Sequence, residues 1–379
     1  MPTSPNGFRH HSNGNANGNG HGPDLLQNFD YIELYVGNAR QAAHYYRTAF
    51  GFKPIAYSGL ETGMRDRASI VVQQNDVTLM LTSPLTADSP VAEHVKLHGD
   101  DVKDIAFTVD DAAAAFEFAV ERGAKPILRP TVIEDPNGSI KKATIAAFGD
   151  TVHSFIERNG ESRNFFPTFE PIEISAPYVQ TGLTTIDHVA LSVAPNQLNQ
   201  LVDFYSHTLN FHHCFTEDVM TEYSSMNSKV VQSGSGRIKF PIVEPGAGRR
   251  KSQIEEYLTY HNGPGAQHIA LHSDDMISTV RALHANGSEF LQTPKTYYDT
   301  LPERVGDIEE DIDELRELNI LVDRDEWGYL MQIFTKPLLN RPTVFLEVIQ
   351  RKRAKGFGSG NIKALFQAIE REQAARGNL

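Results

Sequence analysis

The sequence predicts an α+β protein that contains two copies of one strand-and-helix unit and ends in a further helix. Two observations predict this fold class: internal similarity, and strand patterns that alternate with helical patterns inside each copy. Three pairs of segments match in order along the chain: Phe29–Phe52 with Ile186–Phe211, Val102–Lys125 with Ala266–Phe290, and Thr151–Arg158 with Thr343–Arg351. In the first two pairs a run of alternating apolar residues precedes a helical stretch, and the third pair is a strand. Such repetition indicates that each copy builds the same supersecondary structure.

These matches divide the chain into an N-terminal module at residues 26–160 and a C-terminal module at residues 183–379. Residues 161–182 are rich in Pro and aromatic side chains and lack periodicity, so they are predicted to be a linker. Residues 1–25 are rich in Asn and Gly and have almost nothing apolar to bury, which predicts a disordered tail. The C-terminal helix is predicted from apolar residues at helical spacing: Ile362, Leu365, Phe366 and Ile369.

Composition excludes several classes of function. The chain has 35 Lys and Arg against 48 Asp and Glu, a net charge of −13, which would repel a nucleic acid. It has no apolar run of the length that a membrane span needs, so no membrane partner is expected. Cys214 is the single cysteine, which rules out an intrachain disulfide and suits a reducing compartment. The N-terminus lacks the apolar stretch of a signal peptide, and a cytoplasmic location is therefore expected.

The chemistry is expected in the C-terminal module, because three matched strand positions change residue type between the copies. The N-terminal module has Tyr31, Asp104 and Phe155 where the C-terminal module has His188, His268 and Glu347. Glu347 lies between large apolar residues in a strand that is predicted to be buried, where an unpaired carboxylate would cost several kcal/mol. A divalent cation removes that cost. Two histidines and one carboxylate, with positions left open, are the facial triad of non-haem iron(II) oxygenases.

Longer motifs carry a resemblance to a known family. The segments DHVAL, SQIEEYL, GPGAQHIAL, YYDTLPERVG, LMQIFTKP, TVFLEVIQR and GFGSGNIKALF resemble the 4-hydroxyphenylpyruvate dioxygenase family, a branch of the vicinal-oxygen-chelate (glyoxalase-like) fold. The resemblance covers residues 28–379. It implies tandem βαβββ modules that form two half-open barrels, with Fe(II) bound by His188, His268 and Glu347. It also implies 4-hydroxyphenylpyruvate and O2 as substrates, and a C-terminal lid helix that begins near Ile362.

The resemblance also implies which residues bind the substrate. Polar pocket positions of the family match Ser228, Gln253, Gln267, Gln332 and Asn361. Neutral amides and a hydroxyl orient a phenol and a carboxylate without adding a competing charge beside the metal. Phe334 and Phe357 match the aromatic walls, which would clamp the ring and exclude water.

Two departures from the family pattern concern the product. Members that make homogentisate usually have Asn where this chain has Val243, and Phe where it has Ile362. An aliphatic residue at both places resembles 4-hydroxymandelate synthase, the sister enzyme that acts on the same substrate. Losing the amide and the flat wall would let the aryl group rotate and present its benzylic carbon. We therefore expect 4-hydroxymandelate, with homogentisate as the alternative, which Pro241 and the GFGSGN run favour.

Three other interpretations stay open within the same fold. Extradiol ring-cleavage enzymes share the ligand set, but they place an acid–base His or Tyr beside the metal, whereas this pocket is rich in amides. Glyoxalase-type isomerases usually need a fourth protein ligand and no oxygen. A non-catalytic ligand-binding protein has no reason to keep iron-type ligands in one copy only. The N-terminal module, which lacks those ligands, is a candidate contact surface for a homo-oligomer.

Overall fold

The computed structural model of the chain describes residues 24–136, 138–159, 165–173 and 179–378. Most of the predicted tail, residues 1–23, lies outside the described residues, and its last residue, Leu25, packs against the core. Parts of the predicted linker also lie outside them. Within the described ranges, no helix is long and apolar enough to cross a lipid bilayer.

The N-terminal module is a nine-stranded mixed sheet in the order β6-β7-β8-β5-β1-β4-β3-β2-β9. Its strands are β1 Asn28–Tyr35, β2 Lys53–Ser58, β3 Arg67–Gln74, β4 Val77–Pro84, β5 Asp101–Thr108, β6 Pro126–Asp135, β7 Gly138–Phe148, β8 Thr151–Asn159 and, from the linker, β9 Glu170–Pro171. Its helices are α1 Ala39–Phe50, the 3₁₀ turn Leu60–Thr62, α2 Pro90–His98 and α3 Ala112–Glu121.

The C-terminal module is an eight-stranded sheet in the order β11-β12-β13-β10-β14-β17-β16-β15. Its strands are β10 Leu183–Ser192, β11 His212–Met220, β12 Ser225–Gln232, β13 Lys239–Pro245, β14 Gly265–Ser273, β15 Leu321–Arg324, β16 Tyr329–Phe334 and β17 Phe345–Lys352. Its helices are α4 Leu198–Leu209, α5 Gln253–His261, α6 Met276–Ala285, α7 Thr296–Asp299, α8 Leu301–Val305, α9 Ile312–Leu318 and α10 Ser359–Ala375.

Both sheets have the same construction. A central antiparallel pair, β1 with β5 or β10 with β14, is flanked on each side by a parallel neighbour. Each half of a sheet is therefore a strand, a crossover helix and three more strands, which is the βαβββ unit. The predicted α+β fold of tandem modules with a C-terminal helix is confirmed.

Strand pairing corrects one of the matched positions. Ala270 of β14 pairs with Glu347, and in the N-terminal module the corresponding residue of β5, Ala106, pairs with Ser154. The counterpart of Glu347 is therefore Ser154, and the match to Phe155 was wrong by one residue. Because side chains alternate across a strand, that shift moves Phe155 to the opposite face.

The two modules share one hydrophobic core. His153 of β8 contacts the hydroxyl of Tyr205 in α4 through its Nε2 at 2.9 Å. Tyr205 in turn stacks on Phe240 of β13 with ring centroids 4.9 Å apart, and Phe29 of β1 meets Phe240 edge to face. Aromatic contacts of this kind stabilise beyond the area they bury, so the modules are fastened through their convex, helix-covered sides.

The concave face of each sheet is covered differently. In the N-terminal module Phe165, Phe166 and Phe169 from the linker pack into the concave side. In the C-terminal module Leu365 and Phe366 of α10 pack there instead. The linker phenylalanines fill the first interior, whereas α10 closes the second around a cavity.

Candidate metal centre and its cavity

Three adjacent strands of the C-terminal sheet bring the predicted ligands together. His188 lies in β10, His268 in β14 and Glu347 in β17. Their positions in the pleat point all three side chains to the concave face, where all are buried. The Nε2 atoms of both histidines lie 3.3 Å from Oε2 of Glu347. One potential ligand atom from each residue lies within 4.8 Å of the others, so the group has the dimensions of a metal site.

The charge state of this group follows from competition between burial and its neighbours. Burial opposes ionisation of Glu347, but the imidazoles of His188 and His268 outweigh it and lower its pKa to about 2. Burial also opposes protonation of His188, yet Glu347 and Asp187 raise its pKa. For His268 burial dominates and lowers the pKa. The cluster therefore presents an anionic carboxylate to two ring nitrogens.

A second layer of residues orients His188. Oδ1 of Asp187 lies 2.8 Å from Nδ1 of His188. Asp187 is itself held by Arg351, which donates from Nε at 2.7 Å and from Nη2 at 2.8 Å. Because the carboxylate accepts the Nδ1–H, the lone pair of Nε2 is left to face the cavity, which is the form that binds metal ions.

Glu347 is held by a chain of hydrogen bonds that reaches the C-terminal helix. Gln332 donates to Oε1 of Glu347 at 2.8 Å, and Asn361 of α10 donates to Gln332 at 2.9 Å. The hydroxyl of Tyr297 donates to Asn361 at 2.7 Å. With Oε1 occupied by an amide, Oε2 is the oxygen that remains for a cation. We call this chain of four residues the amide relay.

Gly358 is required beside the relay. Its φ of 75° lies in the left-handed region, and a Cβ added there would lie 2.5 Å from Oε1 of Gln332. Any larger residue would both strain the backbone and displace the Gln332 amide. The glycine therefore lets α10 begin directly against the relay.

The predicted pocket residues surround one enclosed cavity beside the three ligands. Its lining includes Ser228, Gln253, Gln267, Gln332, Phe334, Phe357, Val243 and Ile362. Four further residues were not predicted as lining: Ala190, Met226, Pro241 and Leu365. Asn361 was expected in the pocket, but it lies one layer behind, where it orients Gln332.

The polar side chains of the cavity leave capacity for a ligand. Oε1 of Gln253 is buried and has no hydrogen-bond partner among the described residues. Buried amide oxygens are normally satisfied, so this atom is available to a group that enters the cavity. Gln267 lies beside His268, with its Oε1 3.4 Å from Nδ1 of the ring.

Aromatic walls enclose both histidines. Phe345 stacks on His268 with ring centroids 4.9 Å apart, and Phe357 meets His188 edge to face at 5.2 Å. Phe357 also lines a second, larger cavity of about 980 Å³, which Lys239 and Arg351 line as well. Phe357 thus lies between the cavity beside the three ligands and a wide recess that both basic and acidic side chains line.

Residues that orient the candidate ligands were not predicted from the sequence. Asp187 precedes His188 in DHVAL, and Arg351 ends TVFLEVIQR, so both stood in motifs that were already singled out. Tyr297 likewise stands in YYDTLPERVG. The signal was a charged or hydrogen-bonding residue next to a candidate ligand, but the pairing of Asp187 with Arg351 joins positions that only the folded sheet brings together.

The N-terminal module has a different group at the same place. Asp104 lies on the concave face and accepts hydrogen bonds from Tyr31 at 3.0 Å and from Ser154 at 2.6 Å. Lys142, which strand pairing makes the counterpart of Gln332, lies 2.7 Å from the Tyr31 hydroxyl and 3.2 Å from Asp104. The ammonium group of Lys142 therefore lies on this concave face, beside Asp104, the carboxylate among the three counterparts of the candidate ligands.

Comparisons with known proteins agree with the duplicated architecture. The sequence pattern of the Glyoxalase/Bleomycin resistance protein/Dioxygenase superfamily matches residues 28–141 and 185–333. The chain is 44% identical over 374 residues to the 4-hydroxyphenylpyruvate dioxygenase of Yarrowia lipolytica, which covers 94% of each protein. It is 45% identical over 381 residues to that of Neurospora crassa, covering 93% of this chain and 92% of the relative.

Among solved structures, a mutant of 4-hydroxymandelate synthase from Streptomyces coelicolor has the same fold. The two structures align with a TM-score of 0.84 at 37% sequence identity, over 92% of this chain and 99% of the other. The similarity therefore extends over both modules and the C-terminal helix.

Proposed function

Since this chain belongs to the 4-hydroxyphenylpyruvate dioxygenase family, within the glyoxalase/bleomycin resistance protein/dioxygenase superfamily, we propose that it catalyses the Fe(II)-dependent oxidative decarboxylation of 4-hydroxyphenylpyruvate with O2. The observation that carries the proposal is a cavity bordered at once by His188, His268 and Glu347 and by neutral amides. One oxygen atom of O2 enters the new carboxylate, the other hydroxylates the substrate, and the original carboxylate leaves as CO2.

The residues present fit an iron ion. Two imidazole nitrogens and one carboxylate oxygen are the donor set that suits non-haem Fe(II) with open positions. Asp187 accepts from Nδ1 of His188, which leaves Nε2 as the donor atom, and Gln332 occupies the carboxylate oxygen that points away. Bound Fe(II) would supply the electrons for O2 activation and a Lewis-acidic anchor for the 2-oxo acid.

The other side chains bind, orient and enclose the substrate in this proposal. Ser228, Gln253 and Gln267 provide hydroxyl and amide groups for the phenol and carboxylate, and Gln253 has an unsatisfied oxygen for the phenol hydroxyl. Phe334 and Phe357 pack against the aromatic ring and exclude water. Helix α10 contributes Ile362 and Leu365 to the wall, so it acts as the lid.

We propose homogentisate as the product. The sequence analysis expected 4-hydroxymandelate, but the relatives that cover over 90% of this chain at 44% and 45% identity are named as dioxygenases. The synthase structure is 37% identical. The names therefore support the alternative outcome better than the first expectation.

4-Hydroxymandelate is the second candidate, because a specific observation favours it. Val243 of β13 and Ile362 of α10 both line the cavity, so the wall is aliphatic at both positions where the homogentisate makers usually have Asn and Phe. These two side chains provide no hydrogen bond to the ring and no flat surface to stack on.

Chromatography of the product made from 4-hydroxyphenylpyruvate by the iron-reconstituted protein distinguishes the candidates. Oxygen uptake without either product would refute both, and no oxygen uptake at all would support a ligand-binding protein. If 4-hydroxymandelate is formed, Val243→Asn combined with Ile362→Phe is expected to shift the output toward homogentisate. An unchanged product ratio would then refute the proposed role of these two positions.

A cytoplasmic location and the formation of a homo-oligomer through the N-terminal module stay predictions. Size-exclusion chromatography with light scattering tests the second. A monomer at all concentrations would contradict it.

A further inference from the structure

A second group of metal-ligating side chains lies at the junction of the two modules, outside the iron site. His94 and His98 are four residues apart in α2, which puts them on one face of the helix. Asp150 lies in the turn between β7 and β8. One potential ligand atom from each of the three lies within 4.8 Å of the others.

The contacts of His98 require a proton or a cation at its Nε2. Its Nδ1 lies 2.7 Å from the backbone oxygen of His261, and a carbonyl can only accept, so Nδ1 carries a hydrogen. Its Nε2 faces Oδ2 of Asp150 at 2.9 Å. In the neutral ring this contact would bring a nitrogen lone pair against a carboxylate oxygen. A proton between the two atoms or a metal cation bound by both resolves the repulsion.

His94 supplies an independent indication. Its side chain is buried, and its Nε2 has no hydrogen-bond partner among the described residues. The ring lies beside His98, with centroids 4.6 Å apart, and its other neighbour is the Tyr35 ring at 5.2 Å. Buried imidazole nitrogens normally have a partner, so an unpartnered one next to a histidine–carboxylate pair points to a ligand.

We propose that His94, His98 and Asp150 bind a divalent transition-metal ion of the zinc type, with water completing the coordination. Two imidazoles and one carboxylate suit Zn²⁺, which takes nitrogen and oxygen ligands in a tetrahedral arrangement. The backbone oxygen that holds Nδ1 of His98 is the outer partner that ligating histidines usually have. Asp150 is 59% exposed, which provides a path for the ion from solvent.

The position of this site couples it to the contact between the modules. His98 stacks on His261 of the C-terminal module with centroids 4.4 Å apart, and Asp101 holds Nε2 of His261 at 2.8 Å. Arg341, also from the C-terminal module, donates to the backbone oxygen of Leu97 at 2.8 Å. An ion bound by α2 and the β7–β8 turn would fix the helix end that the other module contacts.

One neighbouring charge opposes binding and provides a test. The ammonium of Lys103 donates to the backbone oxygen of Asp150, so a positive charge lies close to the proposed ion. Replacing it by a neutral residue removes this repulsion without touching a ligand. Lys103→Gln is therefore expected to tighten zinc binding.

The experiment is a titration of the metal-free full-length chain with ZnCl2 in competition with a chromophoric chelator. The reference protein carries substitutions that remove other histidine ligands: His188→Ala, His268→Ala, His10→Gln, His11→Gln and His21→Gln. We expect one Zn²⁺ per chain, and binding at least about tenfold weaker in Asp150→Asn, as for loss of a metal-site residue. His94→Gln is expected to abolish binding, and circular dichroism checks that each variant is folded.

Cobalt provides a second readout, because Co²⁺ bound by nitrogen and oxygen ligands has visible absorption bands that depend on its ligands. Those bands should appear with one equivalent of CoCl2 in the reference protein and disappear in His94→Gln. Absence of stoichiometric zinc binding by the reference protein would overturn the proposal, as would unchanged affinity in Asp150→Asn. Because Asp150 is exposed, that variant decides the matter even if His94→Gln does not fold.

Discussion

The concave faces of the two modules differ in how each accommodates a buried carboxylate. In the C-terminal module Glu347 faces two imidazoles and a cavity, and the proposed cation must come from solution. In the N-terminal module Asp104 faces Lys142, so the cation belongs to the chain itself. Equivalent strands, in the same order within each sheet, carry the two carboxylates and their partners. One architecture therefore accommodates either a structural ion pair or the proposed metal site. The side chains at four matched positions decide which: those of His188, His268, Glu347 and Gln332 in the C-terminal module.

The two interiors also differ in packing. Phe165 and Phe166 meet Tyr31 edge to face at 5.7 and 5.6 Å, so aromatic rings of the linker pack directly on it. In the C-terminal module Phe357 meets His188, the counterpart of Tyr31, edge to face at 5.2 Å, and α10 adds the aliphatic side chains Ile362 and Leu365 to the cavity wall. The two interiors therefore differ in what covers the sheet: aromatic residues of the linker in one module and a helix in the other.

The largest expected effect comes from replacing a candidate iron ligand by alanine. The same change at the matched position of the N-terminal module is the control. His268→Ala should lower turnover and iron affinity by more than about a hundredfold, beyond the range typical of outer-layer changes, because it removes a donor atom. Asp104→Ala, at the matched position, should keep the iron stoichiometry of the unmodified chain. Metal analysis and oxygen uptake on both variants test this. Equal iron loss in the two variants would contradict the assignment of the site to one module.

Replacing Lys142, the cation that faces Asp104, should lower the stability of the folded chain. Lys142→Met leaves the buried Asp104 without its ammonium partner, and we expect the free energy of unfolding to fall by about 3 kcal/mol. Urea denaturation measures this, with the exposed Lys96→Met as control. Adding Asp104→Asn to Lys142→Met should recover part of the loss. If Lys142→Met is no worse than the control, Lys142 does not compensate Asp104.

The amide relay is tested by Tyr297→Phe. The variant loses the hydroxyl that holds Asn361, so Gln332 and Glu347 become less well oriented. We expect iron affinity to weaken by about tenfold. The free energy of unfolding should also fall by about 1 kcal/mol, because the same hydroxyl bonds the backbone of Val322. Tyr298→Phe, a change to the buried neighbour outside the relay, is the matched control. Equal effects in both variants would argue against the relay.

The smallest effect is expected at the corrected position. Ser154→Ala removes one hydrogen bond to Asp104 and should cost about 1 kcal/mol of stability, with no change in iron content. Thermal or urea unfolding measures the difference. A change in iron content would contradict the prediction, because it would show that Ser154 affects the C-terminal module.

The grouping of His188, His268 and Glu347 was predictable because the chain contains its own reference. A change from Tyr31 to His188, or from Asp104 to His268, stands out when the strands around it match. The match of Glu347 to Phe155 failed because β8 and β17 have apolar residues on both faces. The sequence alone therefore does not show which residues of the two strands lie on equivalent faces. Hydrogen-bonded partners define it, and those lie in another strand.

Other features depend on contacts that are distant in sequence. Lys142 lies in β7, where no motif marked it, and its role appears only when β7 and β8 pair. His261 faces Asp101 across the module junction, and the two residues lie 160 positions apart in the sequence. Asn361 was assigned to the pocket by resemblance, and only the position of α10 shows that it acts through Gln332.

Lys142, on the concave face of the N-terminal sheet, has a practical consequence. A charge fixed by a covalent tether cannot be extracted with EDTA, oxidised by air or exchanged for another element. At constant zinc, removing and restoring iron should therefore alter amide hydrogen exchange around β10, β14 and β17 while β1, β5 and β8 keep constant rates. Half of the molecule thus provides a built-in standard against which the loading of the other half can be followed.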